Sequence, residues 1–391
     1  MYFVDKIQPK NLDKTLIFNL LVCITKTQIN MNTKVENKNN QLVAIFSEKT
    51  GWNLARVKFL VSFISALCKL QTVCYVKLAQ GMGGKPKIES NLRKIQRFFA
   101  GFVIDQSLVP KLIFSLLPIK PPYRISLDRT NWKFGKTDIN ILMISICYQG
   151  VAIPLIWSML PKRGNSNSHE RKELFLKYIE LFSTISIECI TADREFIGTD
   201  WFEDLIGKGI PFYIRIKENM WVDVPGKGKK KAFWLFNALP LYRAYCLRKI
   251  VKIDGAYVFL SGMRIINKEN KIEFVIIASY TYNPSALIVY KDRWQIETMF
   301  RALKTSGFNL EDTHLTDLDR ISKLLSILCI AFIWAYNTGI YRHNNIVPIK
   351  IKAHGRKAYS FFKYGLIFIA HALLCSVIQD IEVIVKILSC T

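Results

Sequence analysis

In an α-helix turning about 100° per residue, Tyr290, Arg293, Glu297, Arg301 and Lys304 fall within about 80° of one another. The adjoining arc carries Ile296, Met299, Phe300 and Leu303, the spacing of a helix buried along one side. Such a helix holds one carboxylate, Glu297, rigidly, with cations a turn away on either side. Taken alone, the stripe is an Arg-Glu-Arg ion-pair ladder contributing roughly a few tenths of a kcal/mol. Joined by carboxylates from elsewhere in the chain, it becomes an oxygen-rich centre of the kind hard divalent cations require. The second reading needs two further acids, delivered by elements upstream.

Two aspartates meet that need. After Pro121-Pro122 the apolar period shortens from helical to alternating: Tyr123, Ile125 and Leu127 interleave with Arg124, Ser126 and Asp128, predicting a strand with Asp128 on the opposite face at its end. Residues 139–148 and 151–160 read as two long strands joined by a hairpin at Gln149-Gly150. Asn167 and Glu170 form a capping box for a helix whose inner face is Leu174, Phe175, Tyr178, Ile179 and Phe182. A strand over 189–192 then delivers Asp193, a helix starts near Thr199, and a fifth strand covers 211–217. Either aspartate alone reads as a turn former or a cap, which does not explain three acids on two neighbouring strands and one helix.

Flanking segments are mainly helical. Residues 1–50 combine an apolar stretch, Leu16 to Ile24, with a polar segment from Thr27 to Gln41 of linker composition, and Met31 offers a second start. Apolar residues recur at helical spacing from Asn53 to Gln80, and GMGGKPK over 81–87 reads as a loop, since it lacks P-loop spacing. Ser90-Asn91 caps a helix over 92–100 that carries Arg93, Lys94 and Arg97 on one side. It fits the second helix of a helix-turn-helix, and equally any basic surface helix. Between 217 and 284 the pattern becomes β-rich. There Lys227 and Lys229 to Lys231 precede Phe233, Trp234 and Phe236, which read first as a solvated hairpin tip and second as a surface where Trp234 or Trp221 stacks bases.

Lysine and arginine total 55 against 30 acids, a net charge of +25 that favours a polyanionic partner, nucleic acid before an anionic membrane. The nine cysteines lie mostly in apolar runs (Cys68, Cys147, Cys329, Cys375) without a CxxC pair, so they read as reduced core thiols and not as a zinc site. Half of the residues are hydrophobic, which raises the question of membrane insertion. The runs at 324–341 and 365–378 are broken by polar residues and suit buried helices better than spans of about 20 residues. No small-residue cleavage site follows Leu16 to Ile24.

The order Tyr290-x2-Arg293-x3-Glu297-x6-Lys304 resembles the Tyr-Arg-Glu-Lys signature of bacterial DDE transposases of the insertion-sequence-four family. LDRTNWKFGK, beginning at Leu127, resembles that family's first-Asp motif, TADREF its second, and SNLRKIQRFF and HGRKAYSFFKYGL its flanking regions. The resemblance implies an α/β, ribonuclease-H-like catalytic core interrupted by a β-rich insertion, with a helical N-terminal DNA-binding region and a helical C-terminal region. The corresponding boundaries are 1–50 uncertain, 51–120 DNA-binding, 121–217 core, 218–284 insertion, 285–320 core with the third acid, and 321–391 C-terminal. It implies Asp128, Asp193 and Glu297 as catalytic ligands of Mg²⁺, with Mn²⁺ able to substitute, and Asp128 bridging two metals. Tyr290, Arg293 and Lys304 would grip DNA phosphates, joined by Arg93, Lys94 and Arg97. The implied activity is cut-and-paste transposition on double-stranded element ends and target DNA by a homodimer in the bacterial cytoplasm, at the nucleoid and away from membranes. The alternative is a decayed or repurposed DNA-binding copy. Family members that flip a base use a Trp nearer the third acid than Trp221 or Trp234, and no Trp lies between Trp234 and Trp294. Trp294 itself reads first as core and second as a base platform.

Overall fold

The computed structural model describes residues 40–83 and 86–389. Leu16 to Ile24, Met31, the polar segment before residue 40, and Gly84 and Lys85 of the Gly-rich stretch lie outside the described residues.

Helices α1 (residues 40–50), α2 (Leu54–Leu70), α3 (Tyr75–Gly81), α4 (Ile88–Gly101) and α5 (Leu108–Ser115) precede the sheet. Then come β1 (Tyr123–Phe134), β2 (Thr137–Tyr148), β3 (Val151–Met159), α6 (Ser168–Phe182), β4 (Ile187–Ala192), α7 (Thr199–Gly207) and β5 (Phe212–Ile216). These five strands lie in the order β3-β2-β1-β4-β5, antiparallel across β3-β2-β1 and parallel across β1-β4-β5. This is the ribonuclease-H-like arrangement. Its local causes are the expected ones: Gln149 and Gly150 both take positive φ at the β2–β3 turn, and the Asn167–Glu170 capping box starts α6.

The insertion builds onto the same sheet. Strands β6 (Trp221–Val224), β7 (Gly228–Lys231), β8 (Tyr245–Cys246), β9 (Val251–Ile253), β10 (Ala256–Ile266) and β11 (Ile272–Ser279) continue it, β11 pairing antiparallel with β5 and β7 ending the row. The chain then returns through α8 (Ala286–Tyr290), a 3-10 turn (Lys291–Arg293) and α9 (Trp294–Lys304), and closes with α10 (Leu318–Asn345), α11 (Phe361–Cys375) and α12 (Ile378–Ser389).

By length and composition α10 could cross a membrane, but 83% of its most apolar stretch is buried inside the protein. Two of its buried polar groups are used internally: Tyr336 Oη donates to the Tyr148 carbonyl at 2.6 Å and Trp334 Nε1 to that of Ile384 at 2.8 Å. Where α10 meets α11, Gly339 faces the Phe361 carbonyl and Gly365 faces that of Ala335 with no room for a side chain. The two backbones touch.

Several expectations need correcting. Asp128 is not at a strand end: β1 runs six residues past it, paired with β2 as far as Phe134↔Thr137. What ends there is the parallel ladder to β4, whose last pair is Leu127↔Ala192. Ser90 and Asn91 do not cap α4, whose N-cap is Lys87. Asn91 is instead buried within the helix and donates to the carbonyl of Ala79 at 3.3 Å, satisfying an orphan acceptor in the last turn of α3. Gly81 closes α3 and so belongs to a helix, not to the loop. Among the apolar-run cysteines, Cys375 is exposed because it falls at the last position of α11.

Candidate active site

Asp128 lies within β1 at the first position beyond the parallel ladder, and Asp193 follows β4 directly, so the two aspartates stand side by side where that ladder stops. The same face of β1 is sealed two positions earlier by Ser126 and Thr191, whose buried hydroxyls lie 2.7 Å apart. Each aspartate accepts a hydrogen bond from the next residue's amide at 2.7 Å, Asp128 from Arg129 and Asp193 from Arg194.

Glu297 arrives on α9. The 3-10 turn before it winds the chain tighter, so Tyr290 to Lys304 is two helical pieces and not the single helix the spacing predicts. The inner arc is as expected: Ile296, Met299, Phe300 and Leu303 are all buried. Trp294 is not core but 59% exposed. At about 100° per residue it lies about 140° from Met299, on the far side of the helix.

Arg293 joins two of the acids. Its Nη1 lies 3.3 Å from Asp128 Oδ2 and its Nη2 lies 2.5 Å from Glu297 Oε1, with 13% of its side chain exposed. The cation thus sits between a β1 carboxylate and an α9 carboxylate. Arg301 makes no pair with Glu297 among the described residues, so the ladder has one rung. Burial pushes the Asp128 carboxyl up to about 7, against the pull of the Arg129 amide and the Arg293 guanidinium, and the charges of Glu195 and Asp193 add to the push. Asp193 is therefore near enough to be felt by Asp128.

Tyr290 and Lys304 flank this centre. The Tyr290 ring lies 5.7 Å from the Arg293 guanidinium, and burial pushes its hydroxyl up to about 12. Tyr290 Oη and Arg293 Nε are both buried with no hydrogen-bond partner among the described residues. Two unsatisfied donors beside three acids invite an acceptor-rich ligand. Lys304 is committed within the protein, at 2.6 Å from Glu311 and donating to the Asn131 carbonyl at 3.2 Å. Arg93, Lys94 and Arg97 are exposed on α4.

The carboxylate chemistry fits a hard divalent cation, whose charge would favour the ionised form of Asp128 that burial, and to a lesser extent Glu195 and Asp193, now disfavour. Among the described residues, however, no three His, Cys, Asp or Glu side chains already converge on one point, since Arg293 stands between Asp128 and Glu297.

The family model for the transposase DDE domain matches residues 120–334, from just before β1 to within α10. The chain belongs to that family. The match spans all three acids, and no curated protein matches the chain.

Within this DDE domain, the Asp193 loop is held by residues whose role no motif or spacing in the sequence marks. Arg129 binds Glu195 through Nε and Nη2, both at 3.2 Å, and also reaches Asn140 and Asn165. Glu195 and Asn165 line the cavity of about 530 Å³ into which Asp193 opens. Below it, Arg171 of α6 is 4% exposed and donates to the carbonyls of Ser166, Glu195 and Ile197 at 2.5, 2.7 and 3.2 Å. Its guanidinium also lies over the Phe196 ring at 5.0 Å. Helical periodicity gives no sign of this, because a buried arginine is spaced like any apolar residue. Arg171→Met would leave those acceptors unsatisfied, and a loss of about 3 kcal/mol in urea unfolding is expected. Arg171→Lys, which keeps the charge but not the fork, should recover less than half. An unchanged unfolding midpoint in the Met variant would show that the clamp does not hold the loop.

Proposed function

We propose that the chain is a DNA transposase of the insertion-sequence-four type, which binds the terminal inverted repeats of its element and carries out metal-dependent strand cleavage and transfer. The observation that carries this reading is the Arg293 guanidinium bridging Asp128 and Glu297, with the charge of Asp193 felt at Asp128 and two buried donors left unsatisfied beside them. Asp128, Asp193 and Glu297 would hold Mg²⁺ or Mn²⁺, which when bound supplies charge neutralisation at phosphorus and a more acidic attacking water or hydroxyl.

The protein's own groups then have separate tasks. Arg293 Nε and Tyr290 Oη have donors to give to phosphate oxygens, and a phosphate there would draw the guanidinium away from the carboxylates it now bridges. Lys304 would add a further phosphate contact once it leaves Glu311. Arg93, Lys94 and Arg97 present a basic helical face for duplex DNA, and the excess of 25 positive charges makes association salt-dependent. Two-ended cutting favours a homodimer acting on element ends and target, in the bacterial cytoplasm at the nucleoid.

A strand-cleavage assay on the gene's own flanking DNA tests this. Nicking at the element ends is expected with Mg²⁺ or Mn²⁺ and none with a chelator, while DNA retention in a gel persists in both. Cleavage undiminished by EDTA would remove the metal-dependent mechanism. Binding without cleavage under every metal condition would favour the repurposed DNA-binding protein instead, with Arg293 as a permanent occupant between Asp128 and Glu297.

A further inference from the structure

The insertion holds a second groove, of about 930 Å³, lined by the β6–β7 hairpin, the turn after it and the segment leading into β9. Trp221 and Trp234 form part of its wall and are 58% and 60% exposed, unusual for a side chain that is mostly buried on average. Both rings are held in place: Phe233 stacks on Trp234 at 5.3 Å, and the Lys231 ammonium lies 5.8 Å from the Trp221 ring. Lys227, Lys229, Lys230, Arg248 and Lys249 join Lys231 along the groove, and no acid lines it. None of these cations is in an ion pair among the described residues.

Fixed, exposed rings among unpaired cations match a ligand with flat faces and a repeating negative charge. Duplex DNA offers the charge but keeps its base faces stacked inside, whereas an unpaired strand offers both. The groove is also well placed to receive one. Lys217 and Met220 line the Asp193 cavity, and Trp221, the next residue, lines the groove. The turn between them is braced, Met220 donating to the Lys217 carbonyl at 3.1 Å and Phe233 to that of Glu218 at 2.9 Å. The chain passes directly from the lining of the cavity at Met220 to that of the groove at Trp221. Beyond the groove, β7 is the last strand of the row, so no further strand covers that side.

We propose that this groove is a binding site for single-stranded DNA, with Trp221 and Trp234 stacking on unpaired bases and the surrounding lysines neutralising phosphates. The site is separate from the carboxylates and does not require that they cut.

The test uses the full chain in EDTA, so cleavage plays no part. Fluorescence anisotropy would follow a labelled oligothymidylate of about 12 nucleotides, the matching duplex, and an abasic strand of equal length. Replacing both tryptophans (Trp221→Ala with Trp234→Ala) should weaken the single strand by about tenfold or more and move duplex and abasic binding by no more than about twofold. Lys229→Gln with Lys230→Gln should instead weaken the base-bearing and abasic strands alike and flatten the salt dependence. Trp221→Phe with Trp234→Phe keeps a stacking face and should lie between parent and Ala variant, which provides the reading should the Ala variant not fold. Equal affinity of parent and tryptophan variants for the oligothymidylate would overturn the proposal, as would an equal loss on all three ligands. Phosphatidylglycerol vesicles whose binding depends on the two tryptophans, when single-strand binding does not, would mark the groove as a lipid contact and overturn it too.

Discussion

Asp128→Asn is expected to abolish strand cleavage while making the folded protein more stable above neutral pH. The two effects have one cause. The carboxyl is raised to about 7 by burial, so in the folded chain it keeps a proton that the unfolded chain has already released. For an acid raised in this way, stability falls as pH climbs from the unfolded value near 4 toward about 7 and is level above it. Asparagine has no proton to lose, still accepts from the Arg129 amide, and leaves Arg293 paired with Glu297. In chelator, urea unfolding should therefore show a gain of about 2–4 kcal/mol over the parent at pH 8 and much less at pH 4. The same variant given Mg²⁺ should bind labelled element ends and not cut them, because the carboxylate proposed as a metal ligand is gone. If the variant cuts like the parent, the assignment of Asp128 is wrong. If it is less stable at pH 8, the carboxylate is better solvated than its burial implies.

Gly365→Leu should prevent folding. A Cβ at that position would lie 1.8 Å from the Ala335 carbonyl oxygen and 2.5 Å from the Gly339 amide nitrogen, and both are helix backbone that no rotamer change can move. Relief requires α10 and α11 to separate, which opens the core around Phe332, Tyr336, Phe361 and Phe362. A penalty above about 3 kcal/mol follows from overpacking alone, before lost burial is added. Gly101→Ala makes a clean comparison. It too is helical, but nothing lies within 4 Å of the new atom, so a gain of up to about 1 kcal/mol is expected. Circular dichroism melts and soluble yield would separate the two. A Gly365→Leu variant melting like the parent would mean that the two helices do not cross at these glycines.

Periodicity carried much of the architecture where an element buries one regular face, as α9 does with Ile296, Met299, Phe300 and Leu303. The alternation of Tyr123, Ile125 and Leu127, the Gln149-Gly150 turn and the Asn167–Glu170 box each set their element through local chemistry. What escaped depends on neighbours. Asp128 reads as a strand end because the apolar alternation stops there, yet the polar residues after it stay paired with β2. Asn91 looks like a cap because caps and buried amides use the same residue type, and only the position of Ala79 distinguishes them. Helix phase placed Glu297 and Arg293 on one stripe. It could not say that Arg293 would turn to Asp128, a contact 165 residues away in the chain. The Arg171 clamp and the Arg129–Glu195 pair were hidden for the same reason: their partners are backbone carbonyls and loop side chains brought close by the sheet.

The pairing of β5 with β11 bears on how the protein is made. Strands β6 to β10 intervene in sequence, so a ribosome that has released the chain only as far as Ile216 exposes two aspartates and an uncovered β5 edge, with neither β11 nor α9 yet available. At about 5–20 residues per second the insertion takes several seconds to emerge. During that interval the nascent chain lacks its third acid and carries an edge that can pair with another copy on the same message. Synthesis order thus withholds Glu297 until the insertion has emerged, and it places the risk of aggregation in the half-built sheet, before the insertion arrives to cover it.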